Sequence, residues 1–218
     1  MQTKFPITDL SAHKGLRFPA KVISYLFHPM FMPVVMAIVI SYLNKSEFVG
    51  TTPAERGNFL LNIVLNTIFF PLITTLLLKA LGFIESIQLR TNKERIIPLI
   101  ATMIFYFWNY WSLKHLNTPL SLKVLMLGAY WGVILVFMAN IFIKVSMHTA
   151  AAGGAIGIVI VLMMIGNFNL LIPLLLTMLI GGIIGTARMV LQAHKPGEVW
   201  LGYLIGTLVQ LGAYWYLK

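Results

Sequence analysis

Towards the end of the chain Arg188 is followed after five residues by His194, and His194 after three more by Glu198. Further upstream Lys144, Ser146 and His148 stand close together, and Arg90, Lys93 and Arg95 form another basic group. A carboxylate four positions from a histidine can hold one ring nitrogen and leave the other free to attack an electrophile. A second imidazole can give a proton to the departing oxygen. Fixed cations neutralise phosphoryl oxygens and stabilise the charge of a transition state. Together these are the parts needed to handle a phosphate ester. The His194 and Glu198 spacing also raises a metal site, but catalytic zinc takes three protein ligands and the H-E-x-x-H motif is absent. The chain has no cysteine, which removes thiolate chemistry and cysteine ligation. Neither a metal nor a cofactor is expected.

The elements that must position these residues are set by composition. Of the residues 59% are hydrophobic and 10% charged, against about 25% charged in a soluble domain. The surplus apolar surface must face lipid. Sixteen Lys and Arg against six Asp and Glu give a net charge of +10. The basic residues lie between hydrophobic runs, so the expected partners are membrane lipids and phosphate rather than nucleic acid.

Apolar stretches long enough to span a bilayer lie near 22–43, 58–81, 96–113, 122–143, 149–166, 170–190 and 198–217, which predicts roughly seven spans. They are continuous rather than alternating, so an all-α multi-pass bundle is expected instead of a barrel. No linker divides residues 1–218, which read as a single integral membrane domain with a basic N-terminal segment, 1–21. The run that follows is too long for a signal-peptide core and reads as a retained first span. The expected location is the cell (inner) membrane.

Seven crossings return the N-terminus, 82–95, 144–148 and 192–197 to one face, and with them every candidate residue above. The active site is therefore expected at one membrane face. Ionisable residues are nearly missing from the span interiors; His28, Lys79, Lys123 and Arg188 fall towards span ends. That pattern argues against an ion path through the bilayer centre. Lys4, Lys14, Arg17 and Lys21 weight this face towards the cytoplasm. Gly153 with Gly157, Gly181 with Gly185, and Gly202 with Gly206 form a G-x-x-x-G in each of the last three spans, which predicts close packing among them.

The order and spacing of these residues resemble the type 2 phosphatidic acid phosphatase superfamily, which includes lipid phosphate phosphatases, prenyl diphosphate phosphatases and vanadium haloperoxidases. Its third signature, S-R-x-x-x-x-x-H-x-x-x-D continued as V-x-x-G-x-x-x-G, is similar to Ala187, Arg188, His194, Glu198, Val199, Gly202 and Gly206. The second, P-S-G-H, is similar to Val145, Ser146, Met147 and His148. The first, K-x-x-x-x-x-x-R-P, retains Arg95, with Gln88 at the Lys position and Pro98 two residues late. The resemblance covers residues 88–206 and leaves the first two spans without a motif. It implies that His194 forms a phosphohistidine, that Glu198 fixes its tautomer and that His148 is the general acid. It further implies that Arg188 and Arg95 clamp phosphate, with Ser146, Arg90, Lys93 and Lys144 as additional donors. Most relatives present this site to the outer side, opposite to the charge bias. The substrate implied is a lipid phosphate or prenyl diphosphate, hydrolysed without a cofactor.

Two other readings stand beside this one. The departures at Ala187 and Met147 fit a non-catalytic protein of the same fold that binds lipid headgroups, and a small transporter is the third possibility. Basic residues at span ends also anchor helices to headgroups. His28, near the active face, reads as a packing residue or as one that lines the site, and His115 as a solvated loop residue on the opposite face. An apolar groove takes acyl and isoprenoid chains alike, and oligomeric state is not legible.

Overall fold

The computed structural model describes residues 14–86, 92–166 and 169–218, and these are helical apart from short connections. In chain order the helices are α1 (Lys14–Leu26), α2 (Met32–Leu43), α3 (Pro53–Val64), α4 (Phe70–Ala80), α5 (Asn92–His115), α6 (Leu120–Phe142), α7 (Met147–Gly166), α8 (Leu171–Val190) and α9 (Pro196–Leu217). A π-helical stretch, Leu65–Phe69, joins α3 to α4, so Pro53–Ala80 is one continuous span. Six helical segments are long and apolar enough to cross a membrane: Gly15–Leu43, Pro53–Ala80, Ile96–His115, Leu120–Phe142, Met147–Gly166 and Leu171–Val190. Helix α9, 22 residues long, occupies the seventh expected position and packs alongside α7. The protein is an all-helical, multi-pass membrane bundle.

The first two spans differ from straight rods, for reasons that lie in their prolines. Residues 22–43 do not form one helix. Helix α1 stops at Leu26, a 3-10 turn follows over Pro29–Phe31, and α2 starts at Met32. A residue before proline is pushed out of the α region, and His28, at φ −64° and ψ 138°, is extended. Pro71 likewise lacks the N–H that would bond back one turn, and the π-helical stretch lies directly before the turn that holds it, as expected where the i→i−4 ladder is interrupted.

Helix α1 is amphipathic. Ala20 packs on Ala187 and Val190 near the end of α8, with Ile23 and Leu191 beside them. Its other side exposes Phe18, Val22, Tyr25 and Leu26, with Arg17 and Lys21 also exposed. The basic N-terminal segment thus ends in a helix docked against the bundle.

Helices α7 and α9 form the tightest pair. A Cβ on Gly153 would collide with the Tyr203 backbone, and one on Gly157 with that of Thr207; one on Gly206 would collide with Ala150 O. The partners advance together along both chains, so the two helices run parallel and start at the same end. Thr207 Oγ1 donates to Gly153 O at 3.1 Å across this seam, a polar link of the kind that supplements van der Waals packing in membranes. Helix α8 leans on α7 and α1 and touches α9 less. Its Gly185 leaves room for the Tyr203 ring, whose hydroxyl donates to Gly181 O. Of the three expected glycine contacts, α7 with α9 is backbone against backbone, whereas α8 meets α9 through a side chain.

Candidate active site

The parallel start of α7 and α9 brings 144–148 against 192–198. Ser146 N donates to Glu198 O at 3.3 Å and Lys144 Nζ to Ala193 O at 2.8 Å. Lys144 therefore clips one connection to the other. His194 Nδ1 and Glu198 Oε2 are 2.8 Å apart, and the same carboxylate oxygen accepts the Lys195 backbone N–H at 3.3 Å. Glu198 is thus pinned in the first turn of α9, where the helix dipole favours a carboxylate. A carboxylate on Nδ1 assigns the proton to that nitrogen and leaves the Nε2 lone pair of His194 available.

Helix α1 completes the arrangement. His148 Nε2 donates to the carbonyl oxygen of Ser24 at 3.0 Å, and Arg188 NH1 donates to the Ser24 hydroxyl at 3.2 Å. The His28 ring meets the His148 ring edge-on, centroids 5.5 Å apart. His28 Nδ1 accepts the Met30 backbone N–H at 3.4 Å, so its proton is on Nε2. The three imidazoles are therefore anchored in three different ways: His194 through a carboxylate, His148 through a carbonyl, and His28 through an amide donor.

Arg188 is close enough to act electrostatically on all three rings. His148 lies in the first turn of α7, the helix that packs both on α9, whose first turn holds the His194 partner Glu198, and on the turn that follows His28. His148 therefore stands between them. Glu198 and Lys144 act on His194, with opposite signs. Burial holds the His194 pKa below its ordinary value; the Glu198 hydrogen bond opposes this, and Arg188 and Lys144 reinforce it. A neutral imidazole in a cationic setting suits a nucleophile for an anionic substrate.

A cavity of about 410 Å³ leads from this cluster into the bundle, within the range of about 300–1,000 Å³ usual for small-molecule sites. His28, His148, Arg188 and His194 line one end, Met32 and Met36 follow along α2, and Tyr106 and Gln210 lie deeper. Apart from the end cluster, the described residues that line it are uncharged. Gln210 is 2% exposed and donates from Nε2 to Leu125 O at 3.2 Å. Among the described residues no group of three His, Asp or Glu side chains is arranged to hold a metal.

Of the residues expected from sequence, Arg188, His148, His194 and Glu198 are brought together. Lys144 borders them through the Ala193 link. Ser146 adjoins Glu198 through its backbone, but its side chain is fully buried, its hydroxyl accepts the Thr149 N–H at 3.4 Å, and it does not line the cavity. It works as a helix cap for α7. Arg95 and Lys93 lie in the first turn of α5, close in sequence to Pro98 on the cavity wall, but their side chains fall outside the described residues, as does Arg90 altogether. His115 sits at the end of α5 against Trp111, centroids 4.6 Å apart. Ser24 was not expected in the cluster, and His28, read as near the active face and chiefly a packing residue, lines the cavity. The signal for both is the His28-Pro29 step inside an apolar run, which marks a break rather than a continuous span.

Comparisons with protein-family models, with curated proteins and with solved structures give no match. The chemistry of this site therefore rests on its own geometry.

Proposed function

We propose that this protein is a membrane phosphatase that hydrolyses a lipid phosphate or prenyl diphosphate through a phosphohistidine on His194. The observation that carries this reading is the 2.8 Å contact between His194 Nδ1 and Glu198 Oε2, which leaves Nε2 as an available nucleophile beside Arg188 at the end of an apolar cavity. Arg188 binds the phosphoryl oxygens and Glu198 stabilises the imidazolium that forms on attack. His148 protonates the leaving oxygen and then takes a proton from the attacking water. The apolar cavity takes the lipid chain, and the cell membrane is the proposed location.

The departure at Ala187 has a packing rationale that bears on the non-catalytic alternative. Ala187 is buried against Ala20 of α1, so a hydroxyl there would sit in an apolar contact instead of reaching phosphate. Its loss does not count against catalysis. The deciding experiment is phosphate release by detergent-purified protein from a panel of lipid monophosphates and diphosphates, with His194→Ala as control. Release that depends on His194 supports the enzyme; headgroup binding without release supports the non-catalytic alternative.

A further inference from the structure

His28 is the member of the cluster that the proposed chemistry leaves without a task. In an in-line displacement the nucleophile approaches phosphorus from one side and the leaving oxygen departs on the other. With His194 as nucleophile and His148 as the group beside the leaving oxygen, the next position along the substrate lies beyond His148. His28 occupies that position, because its ring lies against His148, and α7, which carries His148, packs between α9 and the turn that follows His28. Its Nδ1 is taken by Met30 N–H, so what His28 offers the cavity is an Nε2–H donor. Against an alkyl chain such a donor would lose its hydration and gain nothing in return. Against a second phosphoryl group it forms a charge-assisted hydrogen bond.

The walls agree with this order. Met32 and Met36 continue from His28 down α2 into the cavity, so the apolar part of a ligand begins just past His28. On the far side of the cavity a Cβ on Gly128 would collide with the Gln210 side chain, which places that amide tightly against α6 at depth. Gln210 Oε1 has no hydrogen-bond partner among the described residues.

We infer that His28 holds the inner phosphoryl group of a diphosphate ester carrying an apolar chain, and so selects diphosphates over monophosphates. This rests on the phosphatase reading of His194. The Nε2 lone pair of His194 attacks the terminal phosphorus, the bond from that phosphorus to the bridging oxygen breaks, and its electron pair leaves with the lipid monophosphate, which takes a proton from His148. Water then attacks the phosphohistidine, passing a proton to His148; the P–N bond breaks, its electron pair returns to Nε2, and orthophosphate departs. One water is consumed for each orthophosphate released.

The test compares kcat/KM for a monophosphate and a diphosphate of the same chain in wild type, His28→Phe and His28→Gln. Phenylalanine keeps a ring against His148 and removes the donor; glutamine restores an N–H. The diphosphate-to-monophosphate ratio is expected to fall about tenfold in His28→Phe, a loss of the size expected for one hydrogen bond to a charged group, and to recover in part in His28→Gln. An unchanged ratio would overturn the assignment. If wild type releases phosphate from neither substrate, the phosphatase reading fails on its own account, and His28 is then judged by thermal stabilisation of the protein in detergent. Inorganic diphosphate should stabilise wild type more than orthophosphate, and the difference should vanish in His28→Phe. Equal stabilisation by the two anions, or a difference that survives in His28→Phe, would overturn the inference in that setting.

Discussion

His148 Nε2 lies 3.0 Å from the carbonyl oxygen of Ser24, although the two residues are 124 positions apart in sequence. The same serine takes Arg188 on its hydroxyl. An amphipathic helix at the start of the described chain therefore backs the candidate active site, and its docking on Ala187 and Val190 holds an arginine and a histidine at once.

Ser24→Ala keeps the carbonyl that orients His148 and removes the hydroxyl partner of Arg188. The net worth of such a hydrogen bond is about 0.5–1.5 kcal/mol, so kcat/KM should fall roughly threefold to tenfold with little change in melting temperature. Unaltered kinetics would show that other contacts are sufficient to orient Arg188.

His194→Ala should abolish phosphate release while the protein remains folded in detergent, because a nucleophile has no substitute. Glu198→Gln keeps the shape of the side chain but loses the charge that stabilises the imidazolium. Turnover should drop by about 10²–10⁴, the range over which acid–base partners usually act. A Glu198→Gln enzyme as fast as wild type would mean that His194 is oriented by something else.

The pH profile follows from the direction of the His194 shift. Attack needs the neutral ring, and activity is lost as pH falls through the folded-state pKa. Burial, aided by Arg188 and Lys144, sets that pKa below the ordinary 6.5. The acid limb of kcat/KM, which reports the free enzyme, should therefore have its midpoint below pH 6.5. In Glu198→Gln the residual activity should extend lower still, since the hydrogen bond and charge that raise the pKa are gone. A limb above 6.5 would contradict the assignment of His194 as nucleophile.

Gly206→Val places branched carbon where Ala150 O and Gly154 N approach. Overpacking of this kind costs about 1–3 kcal/mol, so the melting temperature in detergent should fall. The α7 and α9 seam also sets the spacing between His148 and Glu198, and activity should drop further than the loss of folded protein explains. Gly182→Val is the control: a Cβ there meets nothing within 4 Å.

Six of the seven expected spans return as segments long and apolar enough to cross a membrane, because hydropathy alone decides whether a segment faces lipid. The contact of His194 with Glu198 was legible as well, since four residues across a helix start is a local distance. Ser24 and His28 were not recovered by that route, because average hydropathy over 22–43 does not register a break. Local chemistry does: a proline after His28 and another at position 33 interrupt the helix. Ser146 has a second local signal. Its place immediately before a helix start is that of a cap, and a motif comparison that treats each polar residue as a ligand donor overlooks this. That α1 would fold back on α8 depended on complementary surfaces, which no single-segment pattern encodes.

The role of His148 can be separated from that of His194 by changing the leaving group. Its Nε2–H is committed to Ser24 O, so Nδ1 is the nitrogen left to carry a proton to the substrate. Expelling an alkoxide, whose conjugate acid has a pKa of about 16, needs that proton in the transition state, whereas a nitrophenolate or phosphate leaving group near about 7 hardly does. His148→Ala should therefore cripple hydrolysis of a lipid monophosphate and largely spare an activated aryl phosphate. A diphosphate of the same chain should fall between them and nearer the aryl ester. Equal loss on all three substrates would make His148 a phosphate-binding or structural residue. Equal retention on all three, with His194→Ala inactive, would show that its contact with Ser24 serves packing of α1 alone.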